Sequence, residues 1–186
     1  MKREELVALR KQTVSGAAGV VLEIGFGSGL NLPYYKNITK LIALEPSEEL
    51  FKEAADAHKY SFPVERISES AEKIPLADDS VDTVVSTFTL CSISSPEQAL
   101  IEIKRVLKKE GTFYFAEHGV SLNNKKASLA QKILTPFSKK LCGGCHLNRN
   151  IQYLVNNSGF TLVSIKTFPL ARKPLAYMYV GSARKY

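Results

Sequence analysis

The chain alternates short continuous apolar runs with longer segments in which apolar residues recur every three or four positions. Residues 2–14 place Leu6, Val7, Leu9 and Val14 on one stripe with Arg10, which predicts a short helix. Residues 20–24 are apolar except for Glu23 and run into Gly25-Phe-Gly27-Ser-Gly29, the pattern of a buried parallel strand turning sharply into a helix. A second strand is predicted over 41–44, ending on Glu45. Ser47 then caps a helix through about Lys59, with Glu48 and Glu49 in the first turn, where the helix dipole favours acids. Residues 64–67, 81–86 and 112–116 read as further strands, the last ending on Glu117-His118. Ser95-Pro96-Glu97 opens a helix with Ala99, Ile103, Val106 and Leu107 on its core face, and Gly111 closes it. Strands alternating with helices predict an α/β fold, a doubly wound sheet.

The last third has a different texture. Leu129, Ile133, Leu134 and Phe137 lie among five lysines over residues 123–141, predicting a basic amphipathic helix broken near Pro136. A short helix follows over 149–157, and residues 160–168 and 175–181 read as two strands joined through 169–174, an antiparallel hairpin at the sheet's edge. With no repeat, low-complexity tract or linker, 186 residues make a single domain.

Composition, at 45% hydrophobic and 23% charged, is that of a globular protein and excludes disordered and collagen-like classes. The net charge of +7 hides a split. Residues 1–117 hold 14 Lys/Arg and all 18 Asp/Glu, whereas residues 118–186 hold the other 11 basic residues and no carboxylate. Such asymmetry points one part of the chain toward an anionic partner: a substrate, a lipid surface or a nucleic acid. The charged N-terminus lacks the apolar run that export requires, and no stretch reaches the roughly 20 apolar residues of a membrane span. Three cysteines, an odd count, are then expected as reduced thiols in a cytoplasmic protein, with peripheral membrane contact left open.

The glycine turn carries the chemistry. A dinucleotide-binding turn needs Gly or Ala at its sixth position for close approach to a pyrophosphate, and here that position is Leu30. Glu23, inside the strand, would repel phosphates and suits a ligand bearing an ammonium and a sulfonium. Glu45, twenty residues after Gly25, is placed to accept hydrogen bonds from two ribose hydroxyls. These requirements together point to S-adenosylmethionine.

Three segments resemble successive motifs of the class I S-adenosylmethionine-dependent methyltransferases: Glu23-Ile-Gly25-Phe-Gly27-Ser-Gly29, Glu45-Pro46-Ser47, and Ala71-Glu72 through Asp82. The subgroup resembled includes the ubiquinone/menaquinone C-methyltransferases. The resemblance implies a Rossmann-like sheet of seven strands in the order 3-2-1-4-5-7-6. It also implies a cofactor set of Glu23, Gly25, Gly27, Gly29, Glu45, Pro46, Ser70, Ala71, Glu72 and Thr87. Many relatives have an acid where this chain has Ser70, so Glu69 or Glu72 stands in for it, while Glu72 reads equally as a solvated helix residue. Residues 1–122 then form the cofactor-binding part and 123–150 a basic acceptor-side cap.

The acceptor is narrowed by elimination. The segment after the fourth strand, Ser86-Thr-Phe88-Thr-Leu90-Cys91, has neither the polar-Pro-Pro-aromatic motif of base amino-group methylation nor a Pro-Cys nucleophile for cytosine, so nucleic acid is not the expected substrate. Thr89-Leu90-Cys91-Ser92-Ile93, Phe113 through His118, Gly144-Cys145-His146-Leu147-Asn148-Arg149 and Ala176 through Ala183 resemble the small thiol S-methyltransferases, whose mammalian members carry an apolar N-terminal anchor that these residues do not match. The expected reaction is methyl transfer to a small, fairly apolar acceptor, favouring a thiol. A quinone ring carbon, a phospholipid headgroup nitrogen and a non-catalytic nucleoside-binding module stay as alternatives. His118 is the candidate base, because an imidazole accepts protons near neutral pH. Cys91, Cys145 and His146 are expected to line the acceptor pocket. Cys142-Gly-Gly-Cys145-His146 has the spacing of haem attachment, which needs export that the N-terminus does not signal, and as a zinc or redox site it lacks a second ligand pair, with Cys91 alone left over, so no metal is expected. His58 reads as solvent-facing. The basic last third fits a lid or a face resting on anionic lipid, against the alternative of a solvated helix with an apolar underside.

Overall fold

The computed structural model describes residues 3–54, 59–141, 143–170 and 176–186. A helix, α1 (Arg3–Val14), leads into β1 (Ala18–Ile24) and β2 (Asn37–Leu44), followed by α2 (Glu48–Lys52), β3 (Val64–Ile67) and β4 (Val81–Thr87). Then come α3 (Pro96–Val106), β5 (Leu107–Gly119), α4 (Lys125–Leu141), α5 (Ile151–Asn157), β6 (Thr161–Pro169) and β7 (Tyr177–Arg184). The strands form one seven-stranded sheet in the order β3-β2-β1-β4-β5-β7-β6, as expected. β3 through β5 run parallel and β7 pairs antiparallel with both β5 and β6.

Alternation along each strand divides the core between the two faces of the sheet. Leu22, Ile24, Val84, Phe113 and Phe115 pack with Ala99, Leu100 and Ile103 of α3 and Ile151 and Val155 of α5. Val21, Leu41, Ala43 and Val85 pack on the other face with Val14 of α1, Phe26, Leu32, Tyr35 and Phe62. Glu23 belongs by alternation to this second face, where it is 1% exposed. Asp82 ties the sheet's other end, accepting the Val20 N–H at 2.8 Å and pairing with Lys108 at 2.7 Å.

Five local expectations change. The glycine turn after β1 leads not into an α-helix but into one turn of 3-10 helix, Leu32–Tyr34, before β2 begins. The helix capped by Ser47, whose hydroxyl accepts the Leu50 N–H at 3.2 Å, stops at Lys52 rather than near Lys59. There the Glu53 N–H turns back to the Leu50 carbonyl, and Ala54 drops into the apolar layer. His58 lies outside the described residues. α3 ends at Val106, because Leu107 is already extended (φ −72°, ψ 131°) and enters the sheet opposite Val81. Gly111 is therefore not a helix stop but part of β5, in an irregular stretch where Glu110 takes φ +62°. The Ser95 side chain does not cap α3; its backbone N–H is instead held by Glu72 Oε1 at 2.8 Å.

Pro136 does not break α4, which runs unbroken to Leu141. Pro136 and Lys132, the residue whose carbonyl loses its helical partner, are both exposed. The orientation of α4 is the larger surprise. Ala127, Gln131 and Thr135 face inward, while Leu129, Ile133 and Phe137 are 61%, 61% and 63% exposed. Gln131 anchors the helix by accepting the Ser121 N–H at 2.8 Å and donating to the Gly119 carbonyl at 3.0 Å.

Candidate active site

The carboxyl ends of β1, β2 and β4 open into a cleft of about 430 Å³, where ligands bind in open α/β sheets. Gly25, Gly27, Glu45, Pro46, Ser70, Ala71 and Glu72 of the expected cofactor set line it, with Glu69, Phe88, Thr89 and Ile93. Its wall includes three carboxylates and, among the described residues, no Lys, Arg or His. That electrostatic character suits a cationic ligand and opposes a phosphate.

Gly25 (φ +62°) and Gly27 (φ +58°) shape the turn. A side chain on Gly25 would collide with Thr89, besides being strained at that φ. Glu45 underpins the same turn: Oε2 accepts the Gly27 N–H at 2.8 Å and Oε1 the Ser47 N–H at 2.9 Å. Each oxygen keeps a further lone pair, so a vicinal diol could bond without displacing either contact. Glu72 accepts from the Ser70 hydroxyl and the Ser95 N–H, and these bonds hold its carboxyl below the usual carboxylate range. It is thus neither a solvated helix residue nor an uncommitted acceptor.

Glu23, Gly29 and Thr87 do not line the cleft. Gly29 packs within the turn against Phe26, Leu32 and Ala54, while Glu23 and Thr87 lie beneath it in a polar network that the sequence did not reveal. Glu23 accepts from Asn31 Nδ2 at 2.8 Å and from the Tyr35 hydroxyl at 2.7 Å, while Thr87 Oγ1 accepts from Asn31 Nδ2 and Arg10 Nη1, both at 3.0 Å. Burial pushes the Glu23 carboxyl up to about 7, against these hydrogen bonds and the Arg10 charge, which favour ionisation. The reason Glu23 stands off the cleft wall is geometric. Glu23 lies on the strand face that residues 31–35 fold back to cover, so it supports the turn from below.

Phe88, also missed, stands at φ +59°, a rare backbone for a bulky residue, with its N–H on the Ala116 carbonyl at 2.9 Å. Buried Glu117 holds this loop by accepting from Ser86 Oγ (2.6 Å), the Thr89 N–H (3.1 Å) and the Cys91 N–H (3.2 Å). The Phe88 ring meets Arg10 at 5.3 Å and His118 edge-on at 5.4 Å. It separates the cleft from a second cluster, where His118 Nδ1 lies 3.8 Å from Cys145 Sγ and Cys91 is close by. His118 Nε2 is buried with no protein partner among the described residues.

His146 does not join that cluster. It lines a separate hollow of about 550 Å³ with Lys132, Thr135, Pro136, Lys139, Lys140 and Asn148, and burial with the nearby Arg149 and Lys139 charges lowers its pKa. Its backbone N–H ties the loop to the Cys91 carbonyl at 2.7 Å. Cys142 lies outside the described residues.

Comparison with known proteins agrees with this geometry. The family described as methyltransferase domain matches residues 22–115. The thiol S-methyltransferase TMT1B of Rattus norvegicus is 31% identical and that of Homo sapiens 32%, each over 97% of this chain and 74% and 75% of the relative. A phosphatidylethanolamine N-methyltransferase of Cereibacter sphaeroides is 30% identical over 56% of this chain and 53% of its own length. The crystal structure of the YcgJ protein of Bacillus subtilis superimposes with a TM-score of 0.70 at 15% identity, covering 97% of this chain and 96% of that one, a likeness of fold.

Proposed function

Given that the chain belongs to the methyltransferase-domain family and uses S-adenosylmethionine, we propose that it transfers the methyl group to a small apolar thiol. The observation that carries this reading is coverage. Similarity to the thiol S-methyltransferases extends over 97% of the chain, whereas that to the phosphatidylethanolamine enzyme extends over 56%. The anionic wall and the Glu45 carboxylate suit the adenosine ribose and the cationic methionine end of the cofactor. The cofactor supplies a methyl already activated on a sulfonium, so the protein's task is to align the acceptor, exclude water and remove one proton.

We assign that proton to His118. The acceptor sulfur forms its new bond to the methyl carbon as the sulfonium bond breaks, giving a thioether and neutral S-adenosylhomocysteine. The thiol proton passes to the imidazole, whose enclosed Nε2 has no protein partner among the described residues. Little help is needed, since a model thiol titrates at about 8.5. Measuring S-adenosylhomocysteine release with a panel of alkyl thiols, demethylated quinones and phosphatidylethanolamine tests the acceptor. Turnover is expected on thiols; turnover confined to another class would sink the assignment.

We further propose that α4 rests on an anionic bilayer surface, which would bring apolar acceptors to the site. No helix among the described residues is long and apolar enough to cross a membrane. The outward stripe of Leu129, Ile133, Phe137 and Leu141, flanked by Lys125, Lys126, Lys132, Lys139 and Lys140, instead fits a helix lying in the interface. Cosedimentation with phosphatidylserine-containing vesicles should exceed that with pure phosphatidylcholine vesicles, and equal binding to both would refute this placement.

A further inference from the structure

Three soft donor side chains reach one point from three separate segments. Cys91 comes from the loop after β4, His118 from the end of β5, and Cys145 from the loop between α4 and α5. Their ligand atoms all lie within 4.8 Å of one another, and both cysteine side chains are buried thiols. A tetrahedral zinc with bonds of about 2.3 Å to sulfur and about 2.0 Å to nitrogen sets neighbouring donors about 3.5–3.8 Å apart. The Cys145 Sγ to His118 Nδ1 distance, 3.8 Å, is already of that length. Closing the rest requires shifts of about 1 Å at most.

We propose that Cys91, His118 and Cys145 form a binding site for a soft divalent cation of the zinc type, and that its occupation competes with methyl transfer by taking the lone pair of the His118 imidazole. The donor set is the argument. Two thiolates and a neutral imidazole select zinc-like cations over magnesium or calcium, which seek oxygen. Both thiols give up their protons to solvent on binding, and the resulting thiolates balance the dication's charge. The surroundings brace the site. Glu117 holds the Cys91 N–H at 3.2 Å, and the His146 N–H holds the Cys91 carbonyl at 2.7 Å, tying the two cysteine loops together. Arg149, anchored on the Leu90 carbonyl, adds a positive charge beside the thiols. That charge tempers affinity for the cation, as suits a reversible site. The competition rests on the reading of His118 as proton acceptor; cation binding itself does not.

Cobalt(II) titrated into the reduced full chain, without cofactor or acceptor, is the test. One equivalent should bind with thiolate-to-cobalt charge-transfer absorption that zinc displaces, and Cys145→Ser and His118→Asn should each weaken binding at least about tenfold. Absence of the charge-transfer band in the wild-type chain, or equal affinity in Cys145→Ser, would overturn the site. A Cys91–Cys145 disulfide that persists under reductant would overturn it too. In a second measurement, S-adenosylhomocysteine release should fall as zinc fills the site and return with a chelator; undiminished turnover at one bound zinc would overturn the competition. If the metal-free protein turned over no thiol at all, the reading of the acceptor would fail while the cobalt result still stood.

Discussion

Around the glycine turn at the sheet's carboxyl edge, carboxylates are held by neighbours: Glu23 by Asn31 and Tyr35, Glu45 by two backbone N–H groups, Glu72 by Ser70 and Ser95. Around His118, His146 and α4 the pattern reverses. The imidazoles of His118 and His146 each keep a buried nitrogen with no protein partner among the described residues, and the apolar residues of α4 point outward among lysines. A fixed, polar ligand rewards groups whose orientation is settled before it arrives, since nothing then has to be ordered on binding. A varied apolar acceptor rewards the opposite, a surface and a proton acceptor not yet committed.

The sharpest way to break this contrast is Gly25→Ala, which places a methyl against Thr89 at a backbone angle suited to glycine. Affinity for S-adenosylmethionine should fall about a thousandfold by calorimetry, on the order of 4 kcal/mol from clash and strain together. Next comes Glu23. Its folded-state pKa is raised from 4.5 to about 7 by burial, so the folded protein holds this proton more tightly than the unfolded chain does. The stabilisation is full below about pH 4.5 and is lost as pH rises through about 7, on the order of 3 kcal/mol. Urea unfolding across that window should show a steeper loss in the wild type than in Glu23→Gln; equal slopes would mean the Arg10 charge keeps the carboxylate ionised throughout.

His118→Asn should lower kcat about a hundredfold while leaving the cofactor Kd unchanged, a split that places the loss on the acceptor side. Glu45→Gln should do the reverse, weakening S-adenosylmethionine about tenfold with kcat at saturation little changed. The smallest effect is expected of Phe137→Ser, about fivefold weaker partition onto anionic vesicles with unchanged turnover of a water-soluble thiol.

The glycine turn and Glu45 were legible in the sequence because each directly follows its own strand, and their chemistry follows from spacing, although a single 3-10 turn, Leu32–Tyr34, follows the glycines in place of a helix. The limit shows at Glu23, whose protein partners the sequence did not reveal. Its partners Asn31, Tyr35 and Arg10 reach it only after the chain folds back, and spacing carries no record of that. The cysteines repeat the lesson. Cys91 and Cys145, 54 residues apart, were expected in one pocket, but their closeness to His118 was not, because it depends on β4 and β5 being neighbours and on the His146 N–H tying the α4–α5 loop to the Cys91 carbonyl.

The sequence by itself determined most of the strands, the glycine turn and the charge division, because each rests on periodicity or on which residues follow which, whereas the strand order followed from the family resemblance. Tertiary structure alone decided which face of α4 turns inward. Its apolar stripe and its small and polar stripe are both compatible with a helix, and hydrophobicity alone would bury the first. The bonds of Gln131 to Ser121 and Gly119, made to the end of a strand that only the assembled sheet puts in place, turn the second inward and leave Leu129, Ile133 and Phe137 facing out.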